Sequence, residues 1–430
     1  MPVIEQIPAI IRVCMVFILV LMCIRKKVSM GNAFFLGTIS LALLFGLGFT
    51  TMFRSAEASV FDPKTLSLAV IVSLILILSS SMEEGGQMKR LLFNFQGLVS
   101  SPRLNLAIFP ALIGLLPMPG GAVFSAPMVK ELGHATAFGP DRLSYINYWY
   151  RHIWEYWWPL YPGVLLTTTL ANINLWAFVA LMCPLTIVAI VCGYLPIKKK
   201  GHHTLHQDNT DRRPPLKPFL RELSPILIVI CVGMPLGILL SYAFSTCTIS
   251  KEIGLCFALI LSTFWTWHIN GMDRLLIRKI ITNPHLLSMI YLVLSILVFK
   301  GMMEDSHAVI AISRELGHLH VPLILITVIL PFLVGGVVGI TIAFVGSTFP
   351  ILILLISTVG ETPFMLAYIM LAMTSGFIGV LLSPLHLCLL LSNQYFGTTL
   401  NAVYRHLWLP CLCLLISGII YFGVLRWIVS

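Results

Sequence analysis

The chain is a succession of apolar runs of bilayer length, and that feature removes most folds from consideration. Residues 65–81, 175–195 and 224–243 carry no charged side chain at all. Each run is close to the roughly 20 residues that an α-helix needs to cross a ~30 Å hydrocarbon core. No water reaches a backbone N–H or carbonyl there, so a spanning segment must satisfy its own backbone as a helix or join a closed barrel. Long unbroken apolar runs select the helix, since barrel strands alternate in polarity over about 10 residues. Only 10% of the 430 residues are charged, against about 25% in a typical soluble protein.

The net charge of +10 invites a nucleic-acid reading, which its distribution removes. Lys and Arg sit in short loops between apolar runs, the pattern that orients helices with basic loops on the cytoplasmic side. The expected location is therefore the cell (cytoplasmic) membrane, crossed many times. The opening MPVIEQIPAI has an acid and no basic residue, which argues against a cleaved signal peptide. The ten cysteines are scattered without a CxxC pair and read as small buried hydrophobes.

One stretch is too polar for lipid: IKKKGHHTLHQDNTDRRPPLKP at 197–218. It sets a cytoplasmic linker, 197–222, between a first membrane repeat (1–196) and a second (223–430). The repeats share a plan. Met82-Glu83-Glu84 matches Met303-Glu304-Asp305 at an offset of 221, as PALIG (110–114) matches PFLVG (331–335). WPLY (158–161) answers SPLH (383–386) at an offset of 225. Ordered matches at nearly constant offset indicate an internal duplication. Spans are expected near 8–24, 32–53, 65–81, 143–168 and 175–195, then near 224–243, 253–268, 285–301, 362–391 and 406–428.

Each half also holds an interrupted apolar segment, 104–129 and 321–356. The first contains LLPMPGGAVFSAP, where proline ends a helix and glycine permits φ > 0 and close backbone approach. Lys and Arg are more strongly biased to one side if both segments dip in and return than if they cross. Two re-entrant hairpins leave five crossings per half, an odd number, so the second half is inverted relative to the first. The expected fold is thus an all-α polytopic membrane protein of two inverted structural repeats, with about ten transmembrane helices and two re-entrant hairpins whose tips meet near the midplane.

Unwound backbone at that depth suits a solute: helix N-termini favour an anion and freed carbonyls a cation. Pro117, Pro119, Gly120, Gly121 and Ser125 are the candidates in the first hairpin. Thr341, Gly346, Ser347 and Thr348 are those in the second. In YWYRHIWEYWWPLYP (148–162), Arg151 is an anion's counter-charge and His152 or Glu155 a proton carrier, because an ionisable group inside a bilayer is costly unless used. The competing reading joins Arg151 and Glu155 as an i, i+4 ion pair, with the Trp and Tyr in an interfacial belt. Thr374-Ser375-Gly376 is a candidate unwound point, Ser383-Pro384 a second kink, and His386 a candidate relay. His318 and His320 lack a third ligand at fixed spacing, so no metal site is expected.

GLLPMPGGAVFSAPMV, GITIAFVGSTFPIL and LSPLHLCLLL resemble an uncharacterised family of prokaryotic integral membrane proteins. That family is grouped with the ion-transporter superfamily of divalent-anion:sodium symporters, gluconate-type permeases and arsenite pumps. The resemblance implies paired inverted repeats, opposed hairpins and a homodimer. The symporters' Ser-Asn-Thr signature is absent at Met118-Pro119-Gly120. The expected function is secondary active transport of a small anion, first of all an organic carboxylate, coupled to Na⁺ or H⁺, with no other cofactor. A passive channel is the alternative, and an intramembrane enzyme a weaker one, since no Ser-His, paired-Asp or HExxH arrangement is present.

Overall fold

The computed structural model describes residues 7–99, 101–118, 121–134, 136, 138–198, 215–244, 249–308, 310–312, 315 and 321–429. Every regular element among them is a helix, and eight are long and apolar enough to cross a membrane. The first half runs α1 (Ala9–Arg25), α2 (Met30–Leu44), α3 (Phe49–Phe61), α4 (Pro63–Glu84) and α5 (Gln87–Phe95). A helical pair follows, α6 (Pro102–Gly114) and α7 (Ala122–His134), then α8 (Pro140–His152), α9 (Pro162–Ala171) and α10 (Leu175–Lys198). The second half runs α11 (Leu216–Ala243), α12 (Ser250–Ile269), α13 (Arg274–Ile281) and α14 (Pro284–Asp305). It continues with the pair α15 (Leu323–Val338) and α16 (Thr341–Thr358), then α17 (Met365–Leu381), α18 (Leu387–Phe396) and α19 (Leu400–Val429).

The sequence matches reappear as helix starts. Pro63 and Pro284, and Pro102 and Leu323, each begin helices 221 residues apart. Pro140 and Met365, Pro162 and Leu387, and Leu175 and Leu400 begin helices 225 apart. Local chemistry explains some of this. Asp62 caps Thr65 N ahead of Pro63, and Asn283 caps His285 N ahead of Pro284, placing a side-chain acceptor before a helix-starting proline twice over. α9 and α18 are both ten residues long and both end on a left-handed residue, Asn172 and Gly397.

Burial separates centre from periphery. The apolar windows of α16 and of the helix ending at Leu381 are 83% buried, whereas those of α10 and α11 are 28% buried. The outer helices thus present apolar faces to lipid. α6 packs on α7, and α15 on α16. The half-helices cross over between halves: α9 packs against α16, and α18 against α7 and α8. Gly335 on α15 faces Gly376 O on α17, while Gly379 faces Phe332 O, the small-residue contact by which membrane helices come close.

Several boundaries differ from expectation. The span at 32–53 stops at Leu44, and Gly46 at φ +72° turns the chain into α3, whose exposed Phe49, Phe53 and Phe61 suit a helix lying at the membrane surface. The spans at 143–168 and 362–391 are each broken, between His152 and Pro162 and between Leu381 and Leu387. Pro159, Pro162 and Pro384 account for this by removing N–H donors. The linker is shorter than 197–222: α10 extends to Lys198 and α11 begins at Leu216, so that Glu222 is buried and accepts from Arg90 Nε at 3.2 Å. Residues 199–214 lie outside the described residues.

Candidate functional site

Both helical pairs turn where both broken crossings unwind. The cavity there, about 320 Å³, is lined by Pro117 and Met118 from the α6–α7 turn and by Gly339, Ile340 and Thr341 from the α15–α16 turn. Arg151, His152, Glu155, Tyr161 and Pro162 come from the first break, and Leu385, His386, Leu387 and Cys388 from the second. Two glycines set the spacing. A Cβ at Gly121 would stand 2.3 Å from Arg151 Nη2. Gly339, at φ +71°, presses on the second break, where a Cβ would meet Ser383 Oγ at 2.8 Å.

Arg151 is the largest fully buried side chain, 2% exposed. Its Nη2 donates to Met118 O at the turn, and its Nε has no hydrogen-bond partner among the described residues. The expected i, i+4 pair with Glu155 does not form, because α8 ends at His152 and carries Glu155 off its helical face. Glu155 turns instead to the other half: Thr341 donates to its Oε1 at 2.5 Å, and its Oε2 lies 3.7 Å from His152 Nε2. One cation, one carboxylate and a hydroxyl from the opposite pair therefore meet at one wall.

His152 and His386 face each other with Nε2 atoms 3.1 Å apart. His152 Nδ1 lies 2.6 Å from Tyr148 O. A carbonyl only accepts, so the hydrogen sits on Nδ1, Nε2 is the acceptor, and His386 donates through Nε2. His386 Nδ1 is buried and makes no hydrogen bond among the described residues. Cys388, buried in the first turn of α18, lies against this pair: one donor atom from each of His152, His386 and Cys388 falls within 4.8 Å of the others.

The aromatic residues do not form an interfacial belt. Tyr145, Tyr148, Trp149 and Tyr161 are buried, and they donate to Gly193 O, Leu381 O, Ala189 O and Gly114 O respectively. Trp154 donates to Ala111 O. Trp154 and Tyr161 thus serve two end carbonyls of α6 that lack helical partners. The sequence segment rich in Trp and Tyr is a scaffold around Arg151.

Of the residues named from sequence, Pro117, Arg151, His152, Glu155, Thr341 and His386 line the cavity, and Gly121 abuts Arg151 from the turn. Pro119 and Gly120 lie outside the described residues, as do His318 and His320. Ser125 lies one helix turn away, donating to Asn147 Oδ1 at 2.6 Å within a buried network. That network continues through Asn147, Ser392, Ser144 and Asn393 and joins α7, α8 and α18. Gly346, Ser347 and Thr348 do not form the second turn, which falls at Gly339–Ile340. They are buried inside α16, with Ser347 and Thr348 bonded back to Ala343 O and Phe344 O. Thr374 and Ser375 are likewise interior to α17, donating to Met370 O and Val328 O, so the unwound point is the stretch around Ser383-Pro384. Cys388 and Tyr161 were missed. A cysteine in an apolar run carries no local signal, whereas Tyr161 aligns with His386 in the WPLY and SPLH match, and both cap ten-residue half-helices.

Eight membrane-length helices and a cluster of buried ionisable side chains define a multi-pass helical membrane protein. The chain belongs to the DUF401 family, described as a protein of unknown function, which it matches over residues 10–425. This match to a family of unknown function does not reach the ion-transporter superfamily. No curated protein matches the chain.

Proposed function

We propose that this protein is a secondary active transporter for a small anion, with an organic carboxylate as the first candidate class and Na⁺ or H⁺ as the coupling ion. The observation that carries the reading is the buried Arg151 guanidinium at a cavity between two helical turns, with its Nε unpartnered among the described residues. A guanidinium fork matches a carboxylate with two parallel hydrogen bonds. A buried cation without a full set of partners is expensive to keep, and a bound anion would supply the missing acceptor.

In this reading the two halves are inverted repeats, α6–α7 and α15–α16 are re-entrant hairpins, and the cavity is their meeting point near the midplane. The recurring helix starts and the crossed packing of α9 on α16 and α18 on α7 support it. Non-helical backbone at this depth is tolerated where protein or a polar cavity surrounds it. Alternating access would follow from one bundle rocking against the other around the cavity. Glu155, which accepts from Thr341 and has Oε2 3.7 Å from His152 Nε2, would exchange a proton as the solute arrives. The ion-transporter superfamily, the cytoplasmic membrane and a second copy of the chain as partner belong to the same proposal.

The test is uptake by proteoliposomes loaded with the purified protein, using a panel of radiolabelled mono- and dicarboxylates under imposed Na⁺ or pH gradients. Saturable, gradient-driven uptake with counterflow is expected. Folded protein that moves no carboxylate under either gradient would refute the reading, and ohmic currents would assign a channel.

A further inference from the structure

We propose that His152, His386 and Cys388 form a binding site for a thiophilic divalent d-block ion of the zinc class, joining the two halves at the cavity. Two imidazoles and a thiolate suit zinc, which takes nitrogen and sulfur ligands in tetrahedral array. With metal–nitrogen bonds of about 2.0–2.1 Å, tetrahedral geometry holds two nitrogens about 3.3 Å apart. The two Nε2 atoms are already 3.1 Å apart, and no two of the three donor atoms are separated by more than 4.8 Å. Closing the widest gap to the nitrogen–sulfur spacing takes about 1 Å of side-chain movement.

The surroundings are those of a ligand set. His152 Nδ1 is anchored to Tyr148 O at 2.6 Å, the outer hydrogen bond that fixes a metal-binding imidazole with its other nitrogen facing inward. His386 makes no bond through Nδ1 among the described residues, so that nitrogen can take the hydrogen when Nε2 binds the ion. The Cys388 thiol releases its proton to solvent on binding. Glu155, whose Oε2 lies 3.7 Å from His152 Nε2 while its Oε1 accepts from Thr341, would supply the fourth ligand through Oε2. Arg151 opposes a dication, but one thiolate and one carboxylate against the ion's two charges restore neutrality around it. The donors come from α8 and its break and from α18 and its cap, 234 residues apart for the histidine pair. A bound ion would pin one half of the chain to the other.

The inference concerns the same cavity but does not rest on anion transport. Titration of the detergent-purified full-length protein with Co²⁺ tests it. One Co²⁺ per chain is expected, with a sulfur-to-cobalt charge-transfer band in the near ultraviolet that Zn²⁺ abolishes by displacement. Cys388→Ser should remove that band, while Cys411→Ser, at a cysteine buried on α19 outside this cluster, should leave it intact. His152→Gln and His386→Gln should each weaken binding by at least the 10- to 100-fold that loss of an outer-shell partner costs. A folded wild-type protein without the band, or a band that survives Cys388→Ser, would overturn the assignment.

Discussion

Gly121→Ala adds one methyl group directly against the Arg151 guanidinium. Its carbon would stand 2.3 Å from Arg151 Nη2, 2.7 Å from Nε and 2.9 Å from Cζ. Ordinary contacts between such atoms begin near 3.5 Å, so the guanidinium must retreat by about 1 Å or more. It cannot do so freely, because Nη2 is held by Met118 O and Gly114 stacks against Arg151 O. The retreat breaks the bond to Met118 and tilts the fork away from its solute. Losing one charge-assisted hydrogen bond costs about 1.5–3 kcal/mol, and each 1.4 kcal/mol is tenfold in affinity. The KM for uptake should therefore rise about 10- to 100-fold, with the folded fraction checked by size-exclusion profile and thermal melt. Gly423→Ala, where the added carbon meets nothing within 4 Å, is the control. An unchanged KM in folded Gly121→Ala protein would show that Arg151 does not hold the solute.

Arg151→Gln should abolish uptake, while Arg54→Gln on the exposed α3 should leave it near wild type; equal effects would remove Arg151 from the site. Lys89→Cys on α5, ahead of the α6–α7 pair, and Lys130→Cys in the last turns of α7, both exposed, should react with impermeant thiol reagents from the same membrane side. Labelling from opposite sides would turn that pair into a crossing. Gly339→Ala forces a Cβ into the left-handed region and against Ser383 Oγ, and should lower stability by about 1–2 kcal/mol, read as a drop in thermal midpoint. Asn147→Leu leaves Ser125, Ser392 and the Ala122 carbonyl short of partners, and should cost about 1–3 kcal/mol per unsatisfied group; an unshifted melt would mean the network adds nothing.

Two interruptions were legible because their chemistry is local: Pro117 stands at the first turn and Ser383-Pro384 at the second break. The break between His152 and Pro162 was not read, although Pro159 and Pro162 remove donors there. Hydroxyls misled for an equally local reason. Ser347, Thr348 and Thr374 can bond to their own helix four residues back, and a sequence cannot tell such a side chain from one aimed at a ligand. The second turn also hid itself: Gly339 and Ile340 connect α15 and α16 without a proline between them. The grouping of Cys388 with His152 was beyond reach, since it depends on α18 packing on α8 across more than two hundred residues of chain.

The crossing of half-helices between the two halves has a consequence for assembly. α7 meets α18, and the Ser125–Asn147 pair finds its third member, Ser392, 245 residues after Asn147. During synthesis the first half is complete long before that helix leaves the ribosome. Its polar residues at this contact must wait in the membrane without their mates, or borrow water or a chaperone. The last helices to be made are thus the ones that close the centre of the molecule, and a chain truncated before Leu387 should insert yet stay open at its heart.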